Sequence, residues 1–450
     1  MPGFDRRIHR SLPRSGASQA NGRRRYQLKF ALAARHPPHL TSSTQSPARQ
    51  ALAHPDFSRY VFGRFAATLA WQVIDVVIGY QMWELTHNKL YLGYIGLSQF
   101  LPFVVLLLPG GQIADRFDRR LIITLAYGLE LAAAAALVLF TLSARTEPYF
   151  LFLIAALLGV ARSFWAPAGQ AMIPNLVPGE LLGGAISMNT LMFTIATIAG
   201  PSIGGLLIIA GIDVAYVIAF VLLVLAMFLV VGVKPVRAQS STEWHWRDVL
   251  QGFVFVWKQK TVLGAISLDL FAVLFGGVLI LLPAFADEIL GVGSVGLGFL
   301  RAAPGFGAAV VAFWLGYKPI RRHAGRWMFG GVAVFGVCMV VFGLSTSFWL
   351  SLVVLVLSGA GDMVSVFVRG MLVQLETPDA IRGRVSAVNS MFIGASNEVG
   401  AFRAGFNAEG FGMVRAVVAG GLATLIVVAS YYYKLFPDLR KLDRFPDAAR

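Results

Sequence analysis

Long apolar runs alternate with short polar connections from residue 58 to residue 434. An α-helix that rises 1.5 Å per residue needs roughly 20 residues to cross about 30 Å of hydrocarbon, and each run approaches or exceeds that length. Glycine and proline interrupt several runs, which membrane helices tolerate. The pattern predicts twelve membrane-spanning helices, at 58–84, 90–112, 120–142, 148–171, 181–209, 212–233, 261–286, 292–317, 327–345, 348–374, 385–408 and 412–434.

The composition excludes a water-soluble domain. Of the 450 residues, 57% are hydrophobic and only 14% are charged. An average soluble domain has about 25% charged and 45–50% apolar residues. Such an excess of apolar side chains cannot all be buried in a core of this size, so the chain requires lipid as its solvent. We therefore predict an all-α membrane protein with twelve transmembrane helices.

The longest internal connection, at 234–260, divides the spans six and six. We expect an N-terminal six-helix half at 56–233 and a C-terminal half at 261–434. A shift of 200 residues lays Gly159 on Gly359 and Asn189 on Asn389, a weak internal repeat of the kind found in transporters. The connection places four apolar residues at helical spacing, which predicts an amphipathic helix in the membrane interface. These residues are Trp246, Leu250, Phe253 and Trp257.

The terminal segments differ from the rest of the chain. Residues 1–55 contain ten basic residues and one acid, Asp5, and show no sustained helical period, so we expect a disordered tail. Its Arg- and Ser-rich character is compatible with an organellar transit peptide, a cytoplasmic tail or a misplaced start codon. Residues 435–450 are expected to form a second cytoplasmic tail.

The formal net charge of +15 could indicate nucleic-acid binding, but its placement indicates contact with anionic lipid headgroups. If the amino terminus is cytoplasmic, the outer connections contain only Lys89, Arg145 and Arg415. The cytoplasmic connections contain Arg116, Arg119, Arg120, Lys234, Arg237, Arg247, Lys258, Lys260, Lys318, Arg321, Arg322, Arg326, Arg382 and Arg384. The positive-inside rule then predicts a multi-pass plasma-membrane (inner-membrane) protein with both termini in the cytoplasm.

The most specific motif follows the second predicted span. It runs from Gly111 to Arg120 and contains Asp115, Arg116, Asp118 and Arg119. The glycine permits close helix packing, the aspartate can accept hydrogen bonds from a neighbouring helix end, and the arginines hold the loop at the headgroups. A charged loop that only obeys the positive-inside rule would not need this spacing.

Residues 111–120 resemble the signature loop of the major facilitator superfamily, G-x-x-x-D-R-x-G/D-R-R. The resemblance implies that this segment helps to close the cytoplasmic side of the transporter, and we call it the gate loop. The resemblance covers residues 58–434. Further stretches resemble the branch of the superfamily that contains the enterobactin exporter. They are Trp83–Thr86, Gln99–Pro102, Arg301–Gly305, Thr377–Val385 and Ile393–Glu398. The resemblance implies transport, usually export, of small organic molecules driven by the proton-motive force.

A second motif lies in the fifth predicted span, where Gly200, Pro201, Gly204 and Gly205 resemble the helix-bend motif of exporting antiporters. Proline removes a helix hydrogen bond and glycines allow bending and close packing. Ala196 stands where that family has an earlier glycine, so the match is incomplete. The motif favours export over import, and an ordinary kink remains the alternative.

Ionisable residues inside apolar spans cost at least about 2.5–3.5 kcal/mol each at mid-membrane, so they should face one another or a cavity. They are Asp75, Glu130, Arg162, Asp269, Arg301, Asp362, Arg369, Glu398 and Arg403. They are either structural ion pairs or carriers of the coupling proton. Asp75 and Asp269 are the leading carriers, because the resemblance implies that the first and seventh spans line the cavity. Glu130, Asp362 and Glu398 come next, with Arg162 or Arg301 as counter-charges.

Arg162 stands where drug–proton antiporters of the superfamily have a membrane-embedded arginine, although the residues that follow depart from their pattern. Four aromatic residues within the spans could stack on a substrate or simply pack. They are Trp71, Trp165, Phe271 and Phe275.

The sequence has no Walker-type phosphate loop, HExxH or CxxC motif, or nucleophile elbow, and its one cysteine is Cys338. We therefore expect no enzyme activity, cofactor, metal or nucleic-acid partner. The leading hypothesis is a monomeric, proton-coupled exporter of a siderophore-like, drug-like or metabolite molecule. An uptake transporter of the same fold is the alternative. A non-transporting membrane scaffold or sensor is a third possibility. It has no need of paired intramembrane charges, or of the second loop at Gly316–Arg326, which keeps the arginines of the first loop but has Ile320 in place of the aspartate.

Overall fold

The computed structural model describes residues 47–143, 145–235, 246–318, 320, 322–378, 381–440 and 442. Twelve long helices occupy this part of the chain, as predicted. They are α1 Pro55–Thr86, α2 Lys89–Arg116, α3 Arg119–Leu142, α4 Tyr149–Met172, α5 Leu182–Ala210, α6 Ile212–Val231, α7 Lys260–Gly276, α8 Gly293–Tyr317, α9 Ala324–Leu344, α10 Phe348–Glu376, α11 Arg382–Phe411 and α12 Met413–Ser430. We call the end of the bundle where α2 meets α3 the basic end, and the end where α1 meets α2 the far end.

Eleven spans in the described part of the chain are long and apolar enough to cross a membrane, and α11 is the exception. With 30 residues α11 has ample length, but it carries Asn389, Glu398 and Arg403 within its span. These polar side chains need protein partners rather than lipid, because lipid offers no hydrogen bonds. Glu398 and Arg403 have such partners, in α4 and α7 respectively.

The seventh predicted span, 261–286, is not one continuous helix. Helix α7 ends at Gly276, a 3₁₀ turn covers Leu279–Leu281, and a second segment, Leu282–Glu288, follows. The break falls at two glycines, which are poor helix formers, and Gly277 is extended with φ −65° and ψ 111°. Pro283 lies in the first turn of the second segment, where its lack of an N–H is tolerated. We call Leu282–Glu288 the far segment of α7.

Arg403 of α11 compensates for this break. Its Nε and Nη2 atoms donate to the carbonyl oxygens of Leu274 and Phe275, at 2.9 and 2.5 Å. The last carbonyls of a helix have no partner within the helix, and such groups are costly away from water. The predicted intramembrane charge at residue 403 therefore satisfies the broken end of α7.

Corresponding helices of the two halves cross in the same way. Gly159 of α4 packs against the backbone of Gln99 in α2, and Gly359 of α10 packs against the backbone of Pro304 in α8. Neither glycine has room for a Cβ atom. The two glycines that the 200-residue repeat pairs thus occupy equivalent helix crossings, where small residues allow the backbones to touch.

The segments outside the bundle are partly described. A short helix, Pro47–Leu52, precedes α1 and buries Ala51, so the predicted disordered tail extends too far at its carboxyl end. Residues 1–46 lie outside the described part. In the connection between the halves, a helix spans Trp246–Lys258 and packs on the start of α11, with Gly252 against the Arg384 backbone.

The predicted C-terminal tail, 435–450, is described only at its start. A π-helical turn, Tyr431–Leu435, extends α12, and a four-residue helix, Pro437–Arg440, follows with Leu439 buried. Packing of this segment on the bundle continues a few residues past the predicted boundary at 434.

Candidate functional site

Two ion pairs connect the halves of the bundle within the membrane-spanning helices. Asp75 of α1 lies 3.7 Å from Arg301 of α8, measured from Oδ2 to Nη1. Arg162 of α4 lies 3.8 Å from Glu398 of α11, measured from Nη1 to Oε1. Each pair joins one helix of the first half to one of the second, so movement of the halves must change both.

Asp75 is the more accessible partner of its pair. Its side chain is 34% exposed, whereas that of Arg301 is 8% exposed. The Gln99 side chain of α2 also donates to the second carboxylate oxygen, at 3.4 Å. Asp75 can therefore exchange a proton or meet a ligand, while Arg301 supplies a fixed positive charge behind it.

Arg162 is held between aromatic rings as well as by Glu398. Its guanidinium carbon lies 5.0 Å from the Trp71 ring centroid and 4.8 Å from that of Phe103. The Arg162 side chain is 29% exposed, and a partly buried arginine over an aromatic face gains on the order of 1 kcal/mol from the ring quadrupole. The arginine can thus remain in this place when its carboxylate partner is neutral or occupied elsewhere.

Glu130 and Trp165 form a separate contact within the first half. The indole N–H of Trp165 donates to Glu130 Oε1 at 2.8 Å, and Glu130 is 2% exposed. This hydrogen bond links α3 to α4 and directs the edge of the indole that carries the N–H toward α3. Trp165 therefore helps to pack α4 against α3.

Asp269 and Arg369 form an ion pair inside the second half, between α7 and α10. Both residues are only 4% exposed. Because both partners belong to the same half, the halves can move relative to each other without breaking this pair. The placement of Asp269 fits the structural-pair interpretation better than the coupling interpretation.

The remaining predicted residues lie elsewhere on the second half. Asp362 is half-buried on α10. Phe271 and Phe275 stack on each other along α7, with ring centroids 6.2 Å apart, and Phe275 also lies 5.8 Å below the Arg403 guanidinium. This stacking pair is half-exposed and could offer one more aromatic surface to a ligand.

The gate-loop residues are mostly helical. Helix α2 extends to Arg116, so Gly111, Asp115 and Arg116 belong to its last turns, and the Asp115 side chain lies outside the described set. Asp118 caps α3 by accepting a hydrogen bond from the Arg120 N–H at 2.9 Å.

The two arginines after Asp118 tie this corner to the rest of the first half. Arg119 donates to the Ala171 carbonyl of α4 at 2.7 Å, and Arg120 donates to the Val231 carbonyl of α6. Both arginines donate to carbonyl oxygens at the C-terminal ends of neighbouring helices, where the helix dipole favours a cation.

The helix-bend motif lies inside an unbroken α5. Gly200 and Gly204 pack against Gln72 and Val73 of α1, while Gly205 lies against the backbone of Gly298 in α8. The glycines thus serve close packing on two sides, one of them across the halves. A side chain at residue 205 would force α5 and α8 apart at the far end.

Sequence reasoning missed Arg64. This α1 residue donates to the Asn189 side chain of α5 and to the Tyr60 hydroxyl, both at 3.3 Å, and lies over the Phe193 ring at 5.6 Å. Arg64 is the seventh residue of the predicted span 58–84, but the sequence pattern alone gave it no partner. The signal that could have found it was the repeat, which already singled out Asn189.

The far end of the bundle is held by further contacts between the halves. Trp83 donates its indole N–H to Asp287 at 3.0 Å, and Lys89 pairs with Glu288 at 2.8 Å. The rings of Tyr94 and Phe402 stack with centroids 5.7 Å apart. We call the contacts of Trp83 and Lys89 with the far segment of α7 the far-end lock. Among the described residues, no group of three His, Cys, Asp or Glu side chains could hold a metal ion.

Two six-helix halves, joined through ion pairs inside the membrane, define a transporter of the major facilitator fold. Residues 45–449 match the family of major facilitator proteins described as transmembrane secretion effectors, and the chain belongs to that family. It is a multi-pass membrane transporter of small molecules rather than an enzyme.

Two relatives with curated names are exporters. The enterobactin exporter EntS of Escherichia coli O9:H4 (strain HS) is 27% identical over 400 residues, which cover 85% of this chain and 94% of that protein. EntS of Shigella dysenteriae serotype 1 (strain Sd197) is 26% identical over 398 residues, with the same coverage.

Solved structures share the fold at low identity. A bacterial homologue of the human lysosomal transporter Spinster, in an inward-facing and unoccupied conformation, superposes with a TM-score of 0.68 at 15% identity, covering 90% of this chain and 100% of that one. A bacterial homologue of the iron transporter ferroportin, in an inward-facing state, gives 0.61 at 18% identity, covering 84% and 98%.

Proposed function

We propose that the protein exports a small organic molecule from the cytoplasm across the inner membrane, as a monomer, in exchange for protons. The observation that carries the coupling is the pair of Arg162 and Glu398, an arginine and a carboxylate on opposite halves. Support for the direction of transport comes from the EntS relatives, whose names describe exporters. A siderophore is therefore the first substrate class to test, before drug-like molecules and metabolites.

The arrangement of contacts supports a state that is open at the basic end. The far-end lock is formed, and α5 touches α8 at Gly205 and Gly298. We assign the basic end to the cytoplasm, because basic connections face the cytoplasm in most membrane proteins. Both termini then lie in the cytoplasm and the site receives substrate from there.

The inter-half ion pairs explain why transport would require exchange. Opening the far end separates α4 from α11, which would leave Arg162 and Glu398 unpaired in a site of low dielectric constant, at a cost of several kcal/mol. Protonation of Glu398 removes one charge and lowers that cost. A polar substrate that donates to Glu398 and accepts from Arg162 lowers it as well.

Proton and substrate therefore compete for Glu398, and either of them lowers the cost of separating Arg162 from Glu398. Without a proton or substrate, the protein is held in the state described here. Substrate drives the outward movement, and a proton taken from outside allows the return. Asp75 and Arg301 form a second pair between the halves, with the carboxylate on α1 and the arginine on α8, so the charges are placed the other way round. Trp71 and Phe103 keep Arg162 in place throughout.

Transport in inside-out vesicles tests this mechanism, with enterobactin as the first compound and others chosen by their retention in a deletion strain. We expect accumulation that requires an acidic vesicle interior. Glu398→Gln should abolish dependence on the pH gradient while leaving substrate exchange without a gradient intact, and Asp75→Asn should weaken the dependence. The double variant Asp269→Leu with Arg369→Met is the control, because this ion pair lies within one half and removal of both partners leaves no buried charge unpaired.

Unchanged gradient dependence in Glu398→Gln, Asp75→Asn and the double variant would show that neither carboxylate carries the proton. Substrate accumulation driven by an alkaline interior would show uptake instead of export.

A further inference from the structure

The second half has a groove on the surface that would face lipid, away from the ion pairs. Helices α8, α9 and α10 enclose about 610 Å³ there. At its floor α9 crosses α10 so closely that a Cβ on Gly331 would lie 2.5 Å from the Gly361 carbonyl oxygen. Gly330 beside the crossing leaves open space, with no atom within 4 Å of where its Cβ would stand. The walls include Val334 and Leu357, which are 44% and 49% exposed.

One end of this groove is charged and aromatic. Arg326 and His323 line it at the start of α9, and the Arg326 side chain is exposed. Trp314 of α8 and Trp327 of α9 flank it, with ring centroids 6.2 Å apart. Tryptophan favours the membrane–water interface, where its ring is in apolar surroundings and its N–H is near water. The charged end of the groove therefore lies at the level of the lipid headgroups.

The other end reaches into the hydrocarbon. Eight residues separate Arg326 from Val334, which corresponds to about 12 Å along the helix axis. Since the hydrocarbon is about 30 Å thick, the groove ends near the middle of the membrane. A narrow apolar channel of this length, open to lipid along its side and bearing a cation at its mouth, matches a single acyl chain attached to an anionic headgroup.

We propose that this groove is a binding site for one anionic phospholipid, with its phosphate against Arg326 and one acyl chain lying over Gly330. A non-ionic detergent would fill the apolar part but would leave the arginine without an anion. A zwitterionic lipid would bring a phosphate, but its quaternary ammonium would offset the attraction between that phosphate and Arg326. A phosphate group gives Arg326 charge-assisted hydrogen bonds, which are about twice as strong as neutral ones.

Native mass spectrometry of the purified full-length protein, titrated separately with phosphatidylglycerol and phosphatidylcholine, tests the site. We expect one phosphatidylglycerol to remain bound at several-fold lower concentration than phosphatidylcholine. Gly330→Leu should weaken phosphatidylglycerol binding at least fivefold, because its side chain fills the open space. Arg326→Gln should remove the preference for the anionic lipid and leave weak binding of both.

Two matched variants control for general effects. Gly128→Leu in α3 also adds a side chain where no atom lies within 4 Å, but far from the groove. Arg322→Gln removes an exposed arginine at the same end of the bundle that does not line the groove. Both should bind phosphatidylglycerol as the parent does.

Equal phosphatidylglycerol binding by Gly330→Leu and the parent would overturn the proposal. Equal losses in Arg326→Gln and Arg322→Gln would also overturn it, since they would indicate attraction to the whole basic end. If Gly330→Leu instead turned a dimeric parent into a monomer without changing lipid binding, the groove would be an interface between copies of the chain. Arg326 is exposed, so its variant should fold even if Gly330→Leu does not.

Discussion

Trp83 at the end of α1 donates its indole N–H to Asp287 in the far segment of α7, across the two halves of the transporter. The donor is fully buried and the acceptor is exposed. This contact, with that of Lys89 and Glu288, holds the far end closed while the ion pairs of the site are intact. Its strength should therefore set how often the far end opens.

Trp83→Phe keeps an aromatic ring but removes the donor, so it should favour opening at the far end. A net hydrogen bond contributes about 1 kcal/mol, which corresponds to roughly a fivefold shift in the ratio of the two states. Spin labels at Arg145→Cys and Arg415→Cys, one on each half at the far end, would report this as a larger population of long distances. Trp349→Phe is the control, since Trp349 is 72% exposed. If both variants gave the parent distance distribution, the far-end lock would have no energetic role.

Asp269 and Arg369 should behave as a structural pair. Removing one partner of a buried pair costs about 3–5 kcal/mol, while replacing both with apolar residues costs much less. We expect Asp269→Leu to lower the thermal unfolding temperature in detergent strongly, and the double variant Asp269→Leu with Arg369→Met to recover most of the loss.

The same double variant should still respond to a pH gradient. If it folded with the parent's stability but transported substrate without any response to the gradient, Asp269 would be a coupling residue after all. This comparison separates the two interpretations of residue 269 that the sequence left open.

Hydropathy predicted the helices well because it reports the apolar character of a whole span, and this character is the same whether a residue meets lipid or another helix. It could not predict the partners of the charges. Arg162 and Glu398 are 236 residues apart, and nothing in either segment identifies the other. Successive residues of a helix point 100° apart, so only packing decides that Asp75 faces α8 of the other half whereas Asp269 faces α10 of its own.

The break in α7 has a similar explanation. The residues before and after the break are apolar, so the hydropathy stays high across it although the helix is interrupted. The two glycines at the break were visible in the sequence, but membrane helices can keep glycines without ending, as α5 does at Gly204 and Gly205. Arg403, which donates to the carbonyl groups at the break, lies more than a hundred residues further along the chain, so the sequence did not indicate this contact.

Asp115→Asn should reduce transport strongly with nearly normal abundance in the membrane. The resemblance to the major facilitator signature implies that this residue braces α2 against α11 when the basic end is closed, so its loss would impair only that state. Initial transport rates normalised to protein amount provide the measurement. Asp118→Asn is the control, because asparagine caps a helix as well as aspartate does. A parental rate in Asp115→Asn would refute the gate assignment.

Removal of residues 1–46 should leave transport unchanged, because this segment lacks the apolar content to fold by itself. Removal of residues 1–53 should instead lower the unfolding temperature, because it also deletes the helix Pro47–Leu52 and the buried Ala51. Both truncations start from a new initiator methionine and are compared by abundance, transport rate and thermal unfolding. Loss of transport in the shorter deletion, with normal membrane insertion, would reveal a function of the tail.

The division of α7 gives this one helix two mechanical roles. Its long segment is fixed to α10 through Asp269 and Arg369, and its broken end is held by Arg403 of α11. Its far segment carries Asp287 and Glu288, the two acidic residues of the far-end lock. The other five residues of this segment, 282–286, are buried, and Phe285 stacks on Phe342 of α9 with ring centroids 4.4 Å apart. The far segment is thus fixed to its own half although it is separate from the long segment, so the lock is released when the two halves move apart. One divided helix therefore both stiffens its own half and joins that half to the other.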